Sequence, residues 1–182
     1  FRGEQYRSHP IMLKGCNDVL CLTRPDVVAS IHQAYLRAGA DIISTCTFNA
    51  NKLSLSDYGL ESQVYDINCA AAKIAKASAE LYSTNEKPRF VAGVMGPTGK
   101  TASISPDVND PGARSTDWDE LESVYYENAR GLIDGGCDLL LLETIFDTLN
   151  AKAALAAIQR LSEERKLQDE NFDIPVMVSG TI

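Results

Sequence analysis

The chain has 182 residues, 45% of them hydrophobic, which is enough to bury one sizeable core and argues against general disorder. Its 25 acidic and 17 basic residues leave a formal charge of −8, so it offers no basic face for a phosphate backbone and nucleic acid is excluded as the expected partner. The longest apolar runs, such as residues 139–142, fall far short of the roughly 20 residues a membrane helix needs, so no membrane association is expected.

In chain order, residues 26–38 are the first strongly periodic segment. Val27, Ile31, Ala34, Tyr35 and Ala38 recur at three- and four-residue steps and mark one face of a helix. Thr23 is the expected N-cap, Pro25 and Asp26 suit the first turn, and Gly39 supplies the stop. Residues 41–48 are rich in β-branched side chains without clean alternation, which predicts a short strand covered on both faces. A second helix is expected over 61–82, with Val64, Ile67, Ala71, Ile74, Ala75, Ser78 and Leu81 as its buried stripe.

A second strand, 89–95, is broken by Gly96-Pro97. Residues 96–116 are rich in Gly, Pro, Ser, Thr, Asn and Asp and lack a hydrophobic period. Loops of this length inside compact domains tend to be functional. Asp117 with Glu120 resembles a capping box, and Trp118, Leu121, Val124, Tyr125 and Leu132 continue a third helix that Gly135-Gly136 ends. Strand, helix and strand follow once more at 138–142, 147–165 and 174–178.

The strand ends near Phe48, Met95, Leu142 and Val178 are each separated by one helical pattern, which predicts an α/β fold with a parallel sheet. An open doubly wound sheet and a closed (β/α)8 barrel both accept that order. Neither a G-x-G-x-x-G turn nor a P-loop is present, which favours the barrel. A barrel needs eight strands and roughly 250 residues. With four strands, no initial Met at Phe1 and an end directly after a strand, residues 1–182 are expected to be the N-terminal part of a TIM barrel domain, truncated at both ends.

In such folds ligands bind at the carboxyl ends of the strands. That rule selects Thr47-Phe48-Asn49, Gly96-Pro97-Thr98, Glu143-Thr144 and Ser179-Gly180-Thr181. Glu143 follows a buried apolar run, so its carboxylate belongs at the mouth, where it could accept hydrogen bonds from an ammonium group; capping the next helix or pairing with a Lys or Arg is the alternative. Thr47, Asn49 and Thr98 have ordinary turn and cap roles open to them. Asp147 is placed to cap the last helix.

The five cysteines, Cys16, Cys21, Cys46, Cys69 and Cys137, are an odd number in a domain that needs no staples, which fits reduced thiols in the cytoplasm. Cys16 and Cys21 lack a second Cys or His pair at a zinc-like interval, so no metal site is expected from this chain alone. His9 is a weak candidate base, and His32 reads as a helix-surface group. No catalytic triad can be assembled by spacing.

Several runs are nevertheless specific. Leu13-Lys-Gly-Cys-Asn-Asp18, Ala38-Gly-Ala-Asp-Ile-Ile43, Thr45-Cys-Thr-Phe-Asn49, Val91-Ala-Gly-Val-Met-Gly-Pro-Thr98, Thr101-Ala-Ser-Ile-Ser-Pro-Asp-Val-Asn-Asp110, Leu142-Glu-Thr-Ile-Phe-Asp-Thr-Leu-Asn-Ala-Lys152 and Ser179-Gly-Thr-Ile182 stand along essentially the whole chain. Together they resemble the homocysteine-binding domain of the cobalamin-dependent methionine synthase family.

That resemblance implies a zinc-dependent S-methyltransferase in which zinc holds homocysteine as a thiolate for attack on the methyl group of methylcobalamin. It implies zinc ligands beyond Ile182, in the family's Gly-x-Asn-Cys and Gly-Gly-Cys-Cys segments, and L-homocysteine as substrate. It also implies cobalamin and folate domains of the same parent chain as partners. Glu143 matches the carboxylate that holds the substrate's amino group, and Thr47, Asn49 and Thr98 match strand-end positions near the substrate. Cys46 stands where the family usually has Asn, as does Cys16. The competing readings are a homocysteine methyltransferase that uses betaine or S-methylmethionine, and a catalytically silent barrel fragment that is unstable by itself.

Overall fold

Gly39 lies at φ 108°, a conformation that its missing Cβ makes accessible, and it terminates helix α2 (Pro25–Ala38) as expected. The structure, a computed structural model, describes residues 3–181. Ahead of α2 stands the short α1 (Leu20–Thr23). The chain continues through β1 (Ile42–Ser44), α3 (Lys52–Leu55), α4 (Val64–Tyr82) and β2 (Phe90–Met95). It ends with α5 (Trp118–Asp134), β3 (Leu139–Ile145), α6 (Thr148–Lys166) and β4 (Val176–Gly180).

All strand pairs are parallel and the sheet order is β1-β2-β3-β4. A doubly wound sheet reverses its strand order at a switch point; this one advances monotonically with a helix in every crossover. The architecture is therefore that of part of a TIM barrel. The main core lies between the central strands and α4, α5 and α6, with Val91, Met95, Leu140 and Leu142 almost fully buried.

Several local expectations are corrected. β1 is exposed at Ile42 and Ser44 and buried only at Ile43, because it is an edge strand and not one covered on both faces. The face that α2 buries is Val28, His32 and Leu36, whereas Ile31 and Tyr35 are exposed beside the open edge of β1. His32 is thus buried and not a surface group, its Nε2 has no partner, and desolvation lowers its pKa.

Thr23 ends α1 and donates from Oγ1 to the Val19 carbonyl at 3.2 Å; the N-cap of α2 is Arg24, whose guanidinium forks onto Asp26. Leu81 is exposed in the last turn of α4, and residues 61–63 form a 3-10 turn ahead of that helix. The strand expected at 174–178 lies two residues later, and every residue of β4 is exposed, as befits the other edge.

The cap of α5 follows the sequence in part. Asp117 accepts from the Glu120 N–H at 2.8 Å, while Glu120 turns to Thr116 instead of completing the reciprocal box. Among the described residues no helix is long and apolar enough to cross a membrane.

Candidate functional site

Parallel register brings the strand carboxyl ends to one rim: Ser44 pairs with Ala92, Met95 with Leu142, and Leu142 with Val178. The four stretches selected by the strand-end rule therefore share that rim.

At the β1 end the hydroxyls continue the ladder after regular pairing stops. Thr45 Oγ1 accepts from the Val94 N–H at 2.9 Å, and Thr47 Oγ1 donates to the Val94 carbonyl at 2.7 Å. The two hydroxyls are 2.6 Å apart. Thr47 is buried and its hydroxyl is already engaged. Asn49 is exposed, and its backbone N–H donates to Asp18 Oδ1 at 3.0 Å. Burial pushes the Asp18 carboxyl above its ordinary range, against the hydrogen bond from Asn49. Gly96 closes this side: a Cβ there would lie 2.1 Å from the Phe48 carbonyl oxygen, so only glycine lets the two strand ends approach.

The long loop after β2 is tied to the start of α6 by two side chains. Asn150 Oδ1 accepts from the Ala102 N–H at 3.1 Å, and its amide donates to Thr98 Oγ1 at 3.0 Å and to the Lys100 carbonyl at 2.9 Å. Asp147 caps α6 by accepting from the Leu149 and Asn150 N–H groups, while its second oxygen accepts from the Ser103 N–H and hydroxyl. Burial raises the Asp147 pKa, but the Ser103 and helix N–H bonds outweigh it and leave the carboxyl below its ordinary value. Thr98 is buried within this network.

The β3 end is built differently. The register slips between Leu142 and Ile145, so Glu143 and Thr144 together oppose Ser179 in a β-bulge. Thr144 has φ 59°, the one positive φ among described non-glycine residues, and a β-branched side chain is strained there. Glu143 is half-buried on this bulge, and among the described residues none donates a hydrogen bond to its carboxylate. Beyond it, the Thr181 N–H returns to the Ile145 carbonyl at 2.8 Å.

The rim thus gathers Thr47, Asn49, Thr98 and Glu143, with only Glu143 presenting an unengaged ionisable group. Asp18, Ser103 and Asn150 were missed by sequence reasoning as contributors, whereas Thr144 was within a stretch the strand-end rule selected. The Asn three residues after the capping Asp147 was the available signal for one of them; the strain at Thr144 had none. Among the described residues no three His, Cys, Asp or Glu side chains converge on a point where a metal could be held.

The sequence matches the family model described as homocysteine S-methyltransferase over residues 2–182. Among solved structures it is similar to the homocysteine methyltransferase MmuM from Escherichia coli. The apo form is 20% identical with a TM-score of 0.65, over 93% of this chain and 54% of that one. The metallated form is 24% identical with a TM-score of 0.63, over 78% of this chain and 51% of that one. The oxidized form is 21% identical with the same TM-score of 0.63, over 78% and 49%. The chain spans about half the length of these structures, and at such identities the likeness is one of fold.

Proposed function

The chain belongs to the homocysteine S-methyltransferase family, and from that premise we propose that it is the homocysteine-binding part of a zinc-dependent S-methyltransferase, the N-terminal portion of a barrel domain, which makes methionine with methylcobalamin as donor. The observation that carries the reading is Glu143: a carboxylate with no hydrogen-bond partner among the described residues, on a strained bulge at the strand-end rim. Such a group suits a substrate ammonium, to which charge-assisted hydrogen bonds are short and strong.

In this reading Glu143 binds and orients the amino-acid end of homocysteine. Thr45 and Thr47 fix the neighbouring strand end, and Asn150 and Asp147 hold the long loop beside it. Zinc does not fit the residues described here, since no cluster of three suitable side chains exists among them. Its ligands are assigned to the parent protein beyond Ile182, and the cobalamin and folate domains to the same parent chain. No step of methyl transfer is attributed to side chains of this segment.

The test is a calorimetric titration of the full-length parent protein with L-homocysteine. Glu143→Ala is expected to weaken binding about tenfold or more, the cost of leaving an ammonium group unpaired. Unchanged affinity rejects the assignment of Glu143. Supplying methylcobalamin, betaine and S-methylmethionine in separate reactions tests the donor: methionine is expected from methylcobalamin alone.

A further inference from the structure

The ladder between β2 and β3 ends at Met95 and Leu142, immediately before Glu143. Beyond that point the two connections are joined by side chains instead of backbone. Asn150, buried in the first turn of α6, reaches back to the chain that follows β2: its amide donates to the Thr98 hydroxyl and the Lys100 carbonyl, and its Oδ1 accepts from the buried Ala102 N–H. Asp147 adds the Ser103 N–H and hydroxyl, which lie 3.1 and 2.7 Å from its Oδ2. Both strands are internal to the sheet, β2 between β1 and β3 and β3 between β2 and β4, so this clamp depends on neither open edge.

The bulge is thereby pinned on both sides. Upstream, Leu142 pairs with Met95 and with Val178; downstream, Ile145 pairs with Gly180, and only Ile145 and Phe146 separate Thr144 from the clamped Asp147. So short a tether gives Thr144 little room to leave its φ of 59°. A strained residue of this kind persists where its surroundings over-determine it.

We propose, on the reading that Glu143 binds the substrate's ammonium group, that Asn150 is a positioning residue for homocysteine: by fixing the start of α6 to the loop after β2, it holds Thr144 in the left-handed conformation that aims the Glu143 carboxylate. Asn150 makes no contact with substrate and acts through the bulge. The position requires an amide, because one short side chain must donate twice and accept once. Aspartate would set a carboxylate against the Lys100 carbonyl, and leucine would leave the Ala102 N–H unpaired.

The test measures homocysteine affinity by calorimetry, and the Michaelis constants, in the full-length parent protein. Asn150→Ala is expected to weaken homocysteine binding about tenfold, as Glu143→Ala does, because the ammonium group loses its aimed partner. The KM for homocysteine should rise while that for methylcobalamin stays unchanged. Thr144→Gly frees the bulge by itself, so in that background Asn150→Ala should add less than about twofold. Losses that multiply in the double variant would make Asn150 a purely structural residue and overturn the proposal. Should Asn150→Ala not fold, Ser103→Ala, which removes one hydroxyl from the clamp, is expected to weaken binding about two- to threefold, and unchanged affinity there overturns the proposal equally. Undiminished affinity in Glu143→Ala rejects the underlying reading, whereas undiminished affinity in Asn150→Ala beside a weakened Glu143→Ala rejects the role of Asn150 alone.

Discussion

The two halves of the rim solve opposite problems. Where β1 and β2 end, the threonine hydroxyls are tied into backbone or side-chain hydrogen bonds: Thr45 and Thr47 to Val94, Thr98 to Asn150. Where β3 ends, the ladder breaks, a β-branched residue is held at φ 59°, and a carboxylate is left without a partner among the described residues. Satisfied polar groups make a rigid support, whereas strain and an unengaged charge mark the place where a ligand can contribute the missing interactions. The difference separates scaffold from candidate site more sharply than sequence motifs do.

The largest effect that tests this contrast is expected at Gly96. Gly96→Ala places a methyl against the Phe48 carbonyl and should cost about 3 kcal/mol or more, since backbone has no rotamer with which to yield. Urea denaturation of the full-length protein measures it, and a loss below about 1 kcal/mol would show that the β1–β2 end is not rigid.

Next in size is Asp147→Ala, which removes a helix cap and the anchor of Ser103 and should cost about 2 kcal/mol. Because the folded-state pKa of Asp147 lies below its ordinary value, its contribution is complete above the unfolded pKa. It is lost as pH falls through the native one. The difference in stability between this protein and Asp147→Asn should therefore shrink below about pH 4, and a constant difference down to pH 2 would count against an ionised anchor.

On the other half of the rim the signs change. Thr144→Gly should stabilise by about 0.5–1 kcal/mol through relief of the left-handed conformation, with weaker homocysteine binding if the strain serves to aim Glu143. Loss of stability in that variant would make the bulge part of the scaffold. Glu143→Gln should move stability by less than about 0.5 kcal/mol, as expected for a side chain with no partner to lose among the described residues. A larger loss would show that Glu143 is engaged structurally.

The stops and caps were legible because they depend on local backbone chemistry: Gly39, Asp117 and Asp147 behave as their residue types require. Candidate residues were found by the same local rule, since a polar residue after an apolar strand falls at the rim in any parallel sheet. Their states were not legible. That Thr47 and Thr98 are occupied and Glu143 is not depends on Val94 and Asn150, which are 47 and 52 residues away in sequence.

The helical face of α2 shows the same limit. Its period was readable, but Val28, His32 and Leu36 form a second stripe beside the one formed by Ile31 and Tyr35, and only packing against α4 and β1 selects between them.

The order of elements, the parallel sheet, the helix boundaries at glycine and aspartate and the location of the rim follow from the sequence alone, because periodicity and capping act within a few residues. The bulge at Glu143, the burial of His32 and the docking of the long loop were decided by tertiary structure. Each depends on groups brought together from distant parts of the chain, whose desolvation and hydrogen bonding no local pattern encodes.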